Sequence, residues 1–458
     1  MVLLLPAMGV DLLTPSSMSF ADAMGEFLQK YDGHPSLKSC FNSGEIKETL
    51  TTLVQFLADR SADVFQHASE IVQALRCIKS LTRARTELDI LLEEPNSICI
   101  INLASRDISD DANVRNPIAN EAIRILINLC IICQQRALAV LHQQKVHLQL
   151  LSLLSDVPAA PANDDLIFAI SRLLFYVCLD DTILCQVRDD TNAIGLLAQK
   201  VTQYVDSSDP GSISLLPSSS STTCLALSEL LRVLFALGSD QKLSADCQEV
   251  WQSLTAPLVR LLLGQNTEIL SLSHEELQAV PKSPYYTLML DIVHLFYCFD
   301  ADSLRSLMDK EVIHRILNIL EVQARYNCAS VESALVPILM VSKNLCELNS
   351  EVAQDVKAFV FGEEFASNKF LQYEFEAGDT TLSMPSNGSG SNSPPPPLYK
   401  ILRQLITSFN PTLKEAVSRF LFTICDSDAN EYIRVVGFGN AIGLLTQLNL
   451  PGFKVPLN

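Results

Sequence analysis

An arginine recurs at one position of a repeated seven-residue phrase, and its chemistry is that of a carboxylate receptor. Arg76, Arg124 and Arg172 follow one another at intervals of 48 residues, and Arg232 comes 60 residues after Arg172. A guanidinium group binds a carboxylate through two parallel N–H donors. If the repeats stack, equivalent arginines form a basic ladder along one surface, suited to a carboxylate-bearing peptide. The alternative is that each arginine lies at the edge of an apolar stripe and reaches towards water.

Other reactive residue types lack the spacing that catalysis or metal binding requires. Cys130 and Cys133 form a CxxC pair, but it lies in an apolar helical segment with no second Cys or His pair at ligand spacing. His142 and His147 are five residues apart and therefore do not share a helical face. We expect no metal, no cofactor and no catalytic residue, so an enzyme is the least favoured function.

A glycine-rich segment in the last part of the chain imitates a dinucleotide-binding loop. A strand-like stretch, 432–436, is followed by Gly437, Gly439 and Gly443. The spacing is G-x-G-x-x-x-G, and too few residues follow for the rest of a βαβ unit with its acidic ribose ligand. We expect Gly437, Gly439 and Asn440 to make a tight turn between two helices.

The phrase that carries the arginines predicts a helical repeat protein. It occurs five times, around the four arginines above and around Arg419, with apolar residues at helical spacing. A period of about 40–50 residues is typical of armadillo and HEAT arrays. The longer interval before Arg232 is explained if the polar stretch 206–221 is an inserted loop. We expect an all-α, armadillo/HEAT-like, right-handed superhelical solenoid.

Composition agrees with this fold class and narrows the choice of partner. A chain of 458 residues is too long for one compact core. Its residues are 48% hydrophobic but only 7% aromatic, which favours helix over sheet. A net charge of −19 disfavours nucleic acid and anionic membranes and favours a partner with a basic face. The 13 cysteines are odd in number and mostly lie in apolar segments, so we expect buried thiols in a reducing compartment.

Neither a signal peptide nor a membrane helix is predicted. Residues 1–5 are apolar, but Pro6 follows them and there is no basic n-region. The most apolar run, 123–133, contains Arg124 and is too short to span a bilayer. We expect a cytoplasmic monomer that is recruited to the cell cortex without stable membrane insertion.

Helical spacing runs through most of the chain and is interrupted twice. The predicted helices are 46–58, 68–81, 117–133, 137–154, 166–179, 193–205, 223–237, 247–263, 285–299, 303–322, 330–347, 398–409 and 411–425. The Ser-rich stretch 207–223 is predicted to be a disordered insert, and the Ser/Gly/Pro-rich stretch 377–397 a linker. We therefore divide the chain into a repeat array, 1–376, the linker, and closing helical repeats, 398–458.

Polar residues stand where several of these helices are predicted to begin. Asp164, Ser283 and Asn410 precede apolar helical segments, and a proline follows Ser283 and Asn410 directly. Short polar side chains at this position accept hydrogen bonds from the first free N–H groups of a helix. We expect all three to be N-caps.

Four segments closely resemble the signature of the synembryn family. Two lie near the end, at 413–425 (LKEAVSRFLFTIC) and 432–445 (YIRVVGFGNAIGLL), and two upstream, at 121–129 (EAIRILINL) and 79–83 (KSLTR). Members of this family are cytosolic chaperones and nucleotide exchange factors for heterotrimeric G-protein α subunits (Gα), and their fold is an armadillo/HEAT-like solenoid. The resemblance implies a guanine nucleotide exchange factor and folding chaperone that stabilises nucleotide-free Gα.

The resemblance also implies where the partner binds. In the family, the concave surface binds the C-terminal helix of Gα, and basic and amide side chains hold its end. Together with the ladder, the expected partner-binding residues are Lys79, Arg83, Arg124, Asn128, Arg172 and Arg232. If Lys79 and not Arg76 is the residue of the first phrase that corresponds to Arg124, the first phrase shifts by three residues. Helical periodicity does not decide between these two alignments.

The chain departs from the family pattern in two respects. The family usually has Thr and Tyr where this chain has Val436 and Phe438, which removes two hydroxyl groups. Animal members continue into an acidic, phosphorylated tail, so without it we expect Gα binding with weaker acceleration of exchange. The alternative function is a generic armadillo-repeat adaptor that serves another peptide and has no exchange activity.

Overall fold

Helices are the regular elements of the described chain. The computed structural model describes residues 19–34, 37, 40–105, 109, 111–189, 191–207, 222–239, 245–264, 269, 272–326, 331–362 and 397–448. No strand occurs within these ranges, which confirms the predicted all-α class. Most of the predicted insert, 207–223, and of the predicted linker, 377–397, lies outside the described residues.

The described residues form two compact units, which divide between residues 250 and 251. The helices of the first unit are α1 (Phe20–Tyr31), α2 (Ser43–Arg60), α3 (Val64–Thr82), α4 (Asp89–Leu92), α5 (Asn96–Leu103), α6 (Ala112–Ile132), α7 (Gln134–Gln143), α8 (Val146–Asp156), α9 (Asp164–Val177), α10 (Asp181–Asp189), α11 (Thr191–Ser207) and α12 (Thr222–Gly238). A further helix, α13 (Ala245–Leu263), contains the boundary.

A row of four helices, α3, α6, α9 and α12, organises the first unit. Each packs against the next in chain order, and the remaining helices cover the row: α1 and α2 pack on α3, α5 and α7 on α6, α8 on α9, and α11 on α12. Four of the five repeated phrases lie on these four helices. The unit is therefore a helical-repeat solenoid, as the period predicts.

The buried positions of the phrase keep one register in every repeat. Counted from the arginine, the residue one before, two after and five after is buried in each case. On α3 these residues are Leu75, Ile78 and Leu81, and on α9 they are Ser171, Leu174 and Val177. Burying an aliphatic side chain of this size stabilises the fold by about 1.5–3 kcal/mol. The repetition thus specifies how each helix of the row faces its neighbours.

The second unit is built around one central helix. Its helices are α14 (His274–Ala279), α15 (Pro284–Phe296), α16 (Ala301–Arg305), α17 (Lys310–Tyr326), α18 (Val331–Leu348), α19 (Ser350–Phe361), α20 (Leu398–Leu405), α21 (Pro411–Ile424), α22 (Ala429–Val436) and α23 (Phe438–Gln447). The central helix, α18, packs against α15, α17, α19 and α21, and α21 carries the fifth phrase. The three-part division at 377–397 stays a prediction.

Two predicted helices are each interrupted. The predicted helix 137–154 is divided into α7 and α8 because Lys145 adopts a left-handed backbone with φ 50°. The predicted helix 303–322 is divided into α16 and α17, and Asp309 accepts a hydrogen bond from the Glu311 backbone N–H at the new start. Apolar spacing continues through both breaks, so periodicity alone does not reveal them.

Of the predicted N-caps, Asn410 is confirmed: its Oδ1 accepts from the Leu413 backbone N–H at 3.0 Å. Ser283 occupies the cap position of α15, but its side chain makes no capping hydrogen bond. The prediction for Asp164 is wrong, because this residue lies inside the first turn of α9 and its buried carboxylate accepts hydrogen bonds from other helices.

The predicted tight turn between two helices lies at Gly437. This glycine joins α22 to α23 with φ 83°, a backbone conformation that residues with a Cβ rarely adopt. Asn440 Nδ2 donates to the Val436 carbonyl at 2.9 Å and so closes the turn. Gly439 is already inside α23.

Candidate functional site

Five of the six predicted partner-binding residues line one cleft along α3, α6 and α9. The cleft has a volume of about 430 Å³. Its lining residues are Lys79, Thr82, Arg83, Arg85, Arg124, Ile127, Asn128, Ile131, Ile132, Phe168 and Arg172. We refer to it as the basic cleft. Arg232 and Arg76 are not among the lining residues.

Helical spacing explains how three packed helices build this cleft. Each contributes two side chains four residues apart, which therefore lie on one face. The pairs are Lys79 and Arg83 at the end of α3, Arg124 and Asn128 on α6, and Phe168 and Arg172 on α9. In the first phrase, Lys79 lines the cleft and Arg76 does not. The alignment of the repeats that uses Lys79 is therefore the one that places the first phrase in the cleft. Arg76 instead pairs with Asp32, with Nη2 at 2.7 Å from Oδ2.

The cations of the cleft also connect the helices to one another. Three pairs run from one helix of the row to the next: Lys79 Nζ to Glu121 Oε2 at 2.5 Å, Arg124 Nη2 to Asp165 Oδ1 at 3.7 Å, and Arg172 Nη1 to Glu229 Oε1 at 3.4 Å. The predicted ladder is therefore compensated in part by carboxylates. An anionic ligand has to share or displace these internal partners.

Arg232 lies at the far side of the last of these pairs. Its Nη1 is 2.9 Å from Glu229 Oε1, so Glu229 joins Arg232 to Arg172. Glu229 is buried, whereas both arginines are partly exposed. Arg232 therefore does not line the cleft itself; it is connected to the cleft residue Arg172 through Glu229.

A short hydrogen-bond chain orients the only carboxamide among the lining residues. Asn128 Nδ2 donates to Thr82 Oγ1 at 2.8 Å, and Thr82 Oγ1 donates to the Lys79 carbonyl at 2.6 Å. These bonds connect α6 to the last turn of α3. The Asn128 amide is therefore held at a defined position between the basic side chains.

Arg83 is held by the chain that follows α1. Its Nη1 donates to the His34 carbonyl at 3.4 Å, and its Nη2 lies 4.0 Å from Asp32 Oδ1. Burial tends to raise the pKa of Asp32, but its hydrogen bond to Arg76 and the charges of Arg76, Lys79 and Arg83 outweigh burial and hold this pKa below its ordinary value. Asp32 therefore balances positive charge beside the cleft.

Apolar side chains form the rest of the lining. Ile131 is half exposed, and the Arg172 guanidinium lies 5.4 Å from the centre of the Phe168 ring. A surface that combines cations, one amide and exposed apolar groups is suited to an amphipathic helix with acidic groups. Phe168 and Ile131 follow from helical spacing around Arg172 and Asn128, but Arg85 lies beyond the end of α3 and no periodic signal marks it.

The CxxC pair has the surroundings of structural cysteines. Burial raises the pKa of Cys130 to about 12, and burial followed by the charge of Asp89 raises that of Cys133. In the described ranges no group of three or more His, Cys, Asp or Glu side chains is placed to hold a metal ion. Nor is any helix of these ranges long and apolar enough to cross a membrane.

The chain matches the model of one protein family over most of its length. The family model Ric8, described as guanine nucleotide exchange factor synembryn, matches residues 74–363 and 398–455. A search of curated proteins gave no match. Because the family match covers most of the chain, the chain belongs to the synembryn family.

Two solved structures resemble the chain distantly. An engineered protein is 14% identical over 88% of this chain and 85% of its own length, with a TM-score of 0.33. The UNC-45 chaperone, which binds and folds muscle myosin, is 10% identical, with a TM-score of 0.19; the likeness covers 97% of this chain but 60% of that one.

Proposed function

We propose that this member of the synembryn family is a guanine nucleotide exchange factor and folding chaperone for Gα, and that it binds the C-terminal helix of Gα in the basic cleft. The observation that supports this site is the convergence of Lys79, Arg83 and Asn128, the positions implied by the family resemblance, with Arg124 and Arg172 around one cleft. No covalent step is involved.

The lining matches the chemistry of an amphipathic helix. Ile127, Ile131 and Phe168 can take its apolar face, while the cations take acidic groups at its end. The chain as a whole carries a charge of −19, so a local concentration of five basic side chains is a specific feature and not a general property of the surface. Charge complementarity then contributes orientation as well as affinity.

Exchange requires that the protein distinguish between two states of Gα. If it binds nucleotide-free Gα more tightly than the nucleotide-bound form, then by linkage it weakens nucleotide binding by the same factor. A helix held in the cleft is a differential contact of this kind when its position in Gα depends on the nucleotide site. The same preference for an unliganded conformer supports a role in folding.

Reversing charge at the cleft tests the proposal. The double variant Lys79→Glu and Arg83→Glu should weaken binding of a Gα C-terminal peptide at least tenfold, or about 1.4 kcal/mol, and should slow GDP release from Gα in parallel. Peptide affinity is measured by fluorescence anisotropy, and helical content by circular dichroism shows whether the variant is folded.

A matched control lies on α21. Arg419 occupies the same position of the repeated phrase, but it pairs with Glu415 of its own helix and does not line the basic cleft. Arg419→Glu should therefore leave peptide affinity unchanged. If the folded double variant binds as tightly as the unaltered chain, the cleft is not the site. If the unaltered chain binds no Gα peptide, the generic adaptor replaces the proposal. The monomeric state and cytoplasmic location stay predictions.

A further inference from the structure

The turn between α20 and α21 combines local positive charge with an exposed aromatic ring. Residues 400–414 contain three basic residues, Lys400, Arg403 and Lys414, and no acidic residue, in a chain whose net charge is −19. Between them, Phe409 is the most exposed of the large apolar side chains in the described ranges. We refer to residues 400–414 as the basic tip. Its charge is opposite in sign to that of the protein as a whole.

The charge around Phe409 distinguishes it from other exposed aromatic side chains. A single exposed ring is ordinary at a protein surface, and Phe65 on α3 is an example. Around Phe65, residues 59–71 carry three carboxylates and one guanidinium. Phe409 instead lies among charges that are all positive.

Lys414 does not stabilise the helix that carries it. It is the fourth residue of α21, near the positive pole of the helix dipole, where a cation is disfavoured. Its side chain is exposed and forms neither an ion pair nor a hydrogen bond with any described residue. The next residue, Glu415, is paired with Arg419 at 2.8 Å. The charge of Lys414 is therefore available to a partner outside the chain.

The backbone of the turn satisfies its own hydrogen bonds. The N–H groups of Ile406, Thr407 and Ser408 donate to carbonyl groups of α20 at 3.3, 3.1 and 3.0 Å. The Asn410 N–H donates to Ser408 Oγ at 3.1 Å, and Pro411 has no N–H. A segment that enters a lipid interface loses water, and unpaired N–H groups then cost free energy. This turn can therefore contact lipid without changing its conformation.

From these observations we propose that the basic tip is a peripheral membrane contact. The Phe409 ring enters the headgroup region of an anionic bilayer, and Lys400, Arg403 and Lys414 bind the acidic headgroups around it. Interfacial segments divide their side chains in this way, with aromatic or aliphatic groups at the acyl boundary and Lys or Arg at the headgroups. The contact does not depend on the Gα site, and it is reversible because one ring enters the interface.

The negative charge of the whole chain does not prevent this contact. At physiological ionic strength, exposed charges are screened beyond a distance of about 8 Å. After Glu415, the next acidic residues along the chain are Asp426 and Asp428, which follow the opposite end of α21. That helix has 14 residues and is about 21 Å long. A bilayer at the tip therefore interacts with the local cations more strongly than with these carboxylates.

The test measures flotation of the full chain with lipid vesicles. We expect binding to phosphatidylcholine vesicles that contain phosphatidylserine, decreasing with added salt, and no binding to phosphatidylcholine alone. One cation near an anionic surface changes the affinity about fivefold. Lys414→Glu, which reverses a charge, should therefore weaken binding at least fivefold, and Phe409→Ser should weaken it by a similar factor.

Two matched variants lie outside the tip. Lys47→Glu, at an exposed residue of α2, makes the same change in net charge, and Phe65→Ser removes an exposed ring. Both should leave vesicle binding within about twofold of the unaltered chain. Circular dichroism shows that each variant is folded.

Tryptophan fluorescence distinguishes entry into the bilayer from attraction at a distance. The chain has one tryptophan, Trp251, and it is buried. Phe409→Trp adds an exposed ring, whose emission should shift to shorter wavelength with vesicles that contain phosphatidylserine. Phe65→Trp should show no such shift.

The other outcomes count against the inference. If Phe409→Ser and Lys414→Glu bind vesicles as tightly as the unaltered chain, the tip is not the contact. Binding without an emission shift in Phe409→Trp overturns the entry of the ring. If the unaltered chain binds no vesicles, the membrane is not the partner, and an acidic protein surface replaces it.

Discussion

Arg172 on α9 pairs with the buried carboxylate of Glu229 on α12, with Nη1 at 3.4 Å from Oε1. Arg232 shares the same carboxylate, so one acidic side chain holds two arginines and connects two helices of the row. Replacing Glu229 removes the carboxylate that both arginines share and that connects α9 to α12. We expect Glu229→Ala to lower the free energy of unfolding by about 1–3 kcal/mol, less than for a fully buried pair because both arginines are partly exposed.

Thermal unfolding measures this effect, and Glu415→Ala is its control. Glu415 pairs with Arg419 within α21 at 2.8 Å, but it is half exposed. Exposed pairs four residues apart contribute about 0.3–0.5 kcal/mol. A decrease in melting temperature for Glu229→Ala no larger than for Glu415→Ala would show that the shared carboxylate does not stabilise the row.

The repeats and most of the cleft are predictable from the sequence because both follow from helical spacing. Burial at fixed offsets from each arginine defines the face of every helix in the row, and residues four apart then converge on one side. Glu229 is not predictable in this way, because an ion pair between helices depends on tertiary distance. Arg85 and Lys145 are likewise hidden, since a left-handed backbone at a non-glycine residue leaves no periodic trace.

Asp164 connects the two sides of the predicted insert. Its buried carboxylate accepts hydrogen bonds from Tyr204 Oη at 2.8 Å, near the end of α11, and from Thr222 Oγ1 at 3.1 Å and Thr223 Oγ1 at 2.5 Å, at the start of α12. Hydrogen bonds to a charged group contribute about 1.5–3 kcal/mol each. We expect Asp164→Ala to destabilise the fold by about 2–4 kcal/mol, because the buried Tyr204 hydroxyl and the two threonine hydroxyls lose their acceptor.

A double-mutant cycle with Tyr204→Phe measures the part of this effect that belongs to one bond. The tyrosine is almost fully buried, and burial followed by the hydrogen bond to Asp164 raises its pKa. We expect the two substitutions to couple by about 1 kcal/mol or more. Additive effects would mean that the bond does not contribute. Thr202→Ala, which removes a hydroxyl bonded within its own helix, is the control.

Lys145 is a site where glycine should stabilise the protein. The residue is exposed, has φ 50° and separates α7 from α8. A left-handed backbone at a residue with a Cβ costs about 1–2 kcal/mol, and glycine removes this cost. Glycine also has greater freedom in the unfolded chain, which cancels part of the stabilisation. We expect Lys145→Gly to raise the free energy of unfolding by about 0.5–1 kcal/mol.

The control for Lys145→Gly is Lys145→Ala, which removes the same charge but keeps the Cβ. It should not stabilise the chain, so the difference between the two variants isolates the backbone effect. Equal melting temperatures for Lys145→Gly and Lys145→Ala would contradict a strained backbone at this position.

His147 should make the protein less stable as the pH falls below neutrality. The ring is buried, its Nδ1 has no hydrogen-bond partner within the described structure, and burial together with the positive charges of His142 and Lys145 lowers its pKa from the usual 6.5. Below pH 6.5 the unfolded chain takes up a proton that the folded chain resists. The unfolded state then binds more protons, so stability decreases with falling pH until the folded pKa is passed.

Replacing the ring by an apolar side chain removes this dependence. We expect the difference in melting temperature, His147→Leu minus the unaltered chain, to increase as the pH falls from 7.5 to 5.5. This change is independent of the packing effect of the substitution, which is already present at pH 7.5. His142→Gln removes one of the two positive charges that lower the pKa of His147 and should give a smaller change. A constant difference between His147→Leu and the unaltered chain across this range would show that the histidine does not titrate on unfolding. In that case protonation is accommodated in the folded state, and the buried ring is not the cause of any acid sensitivity.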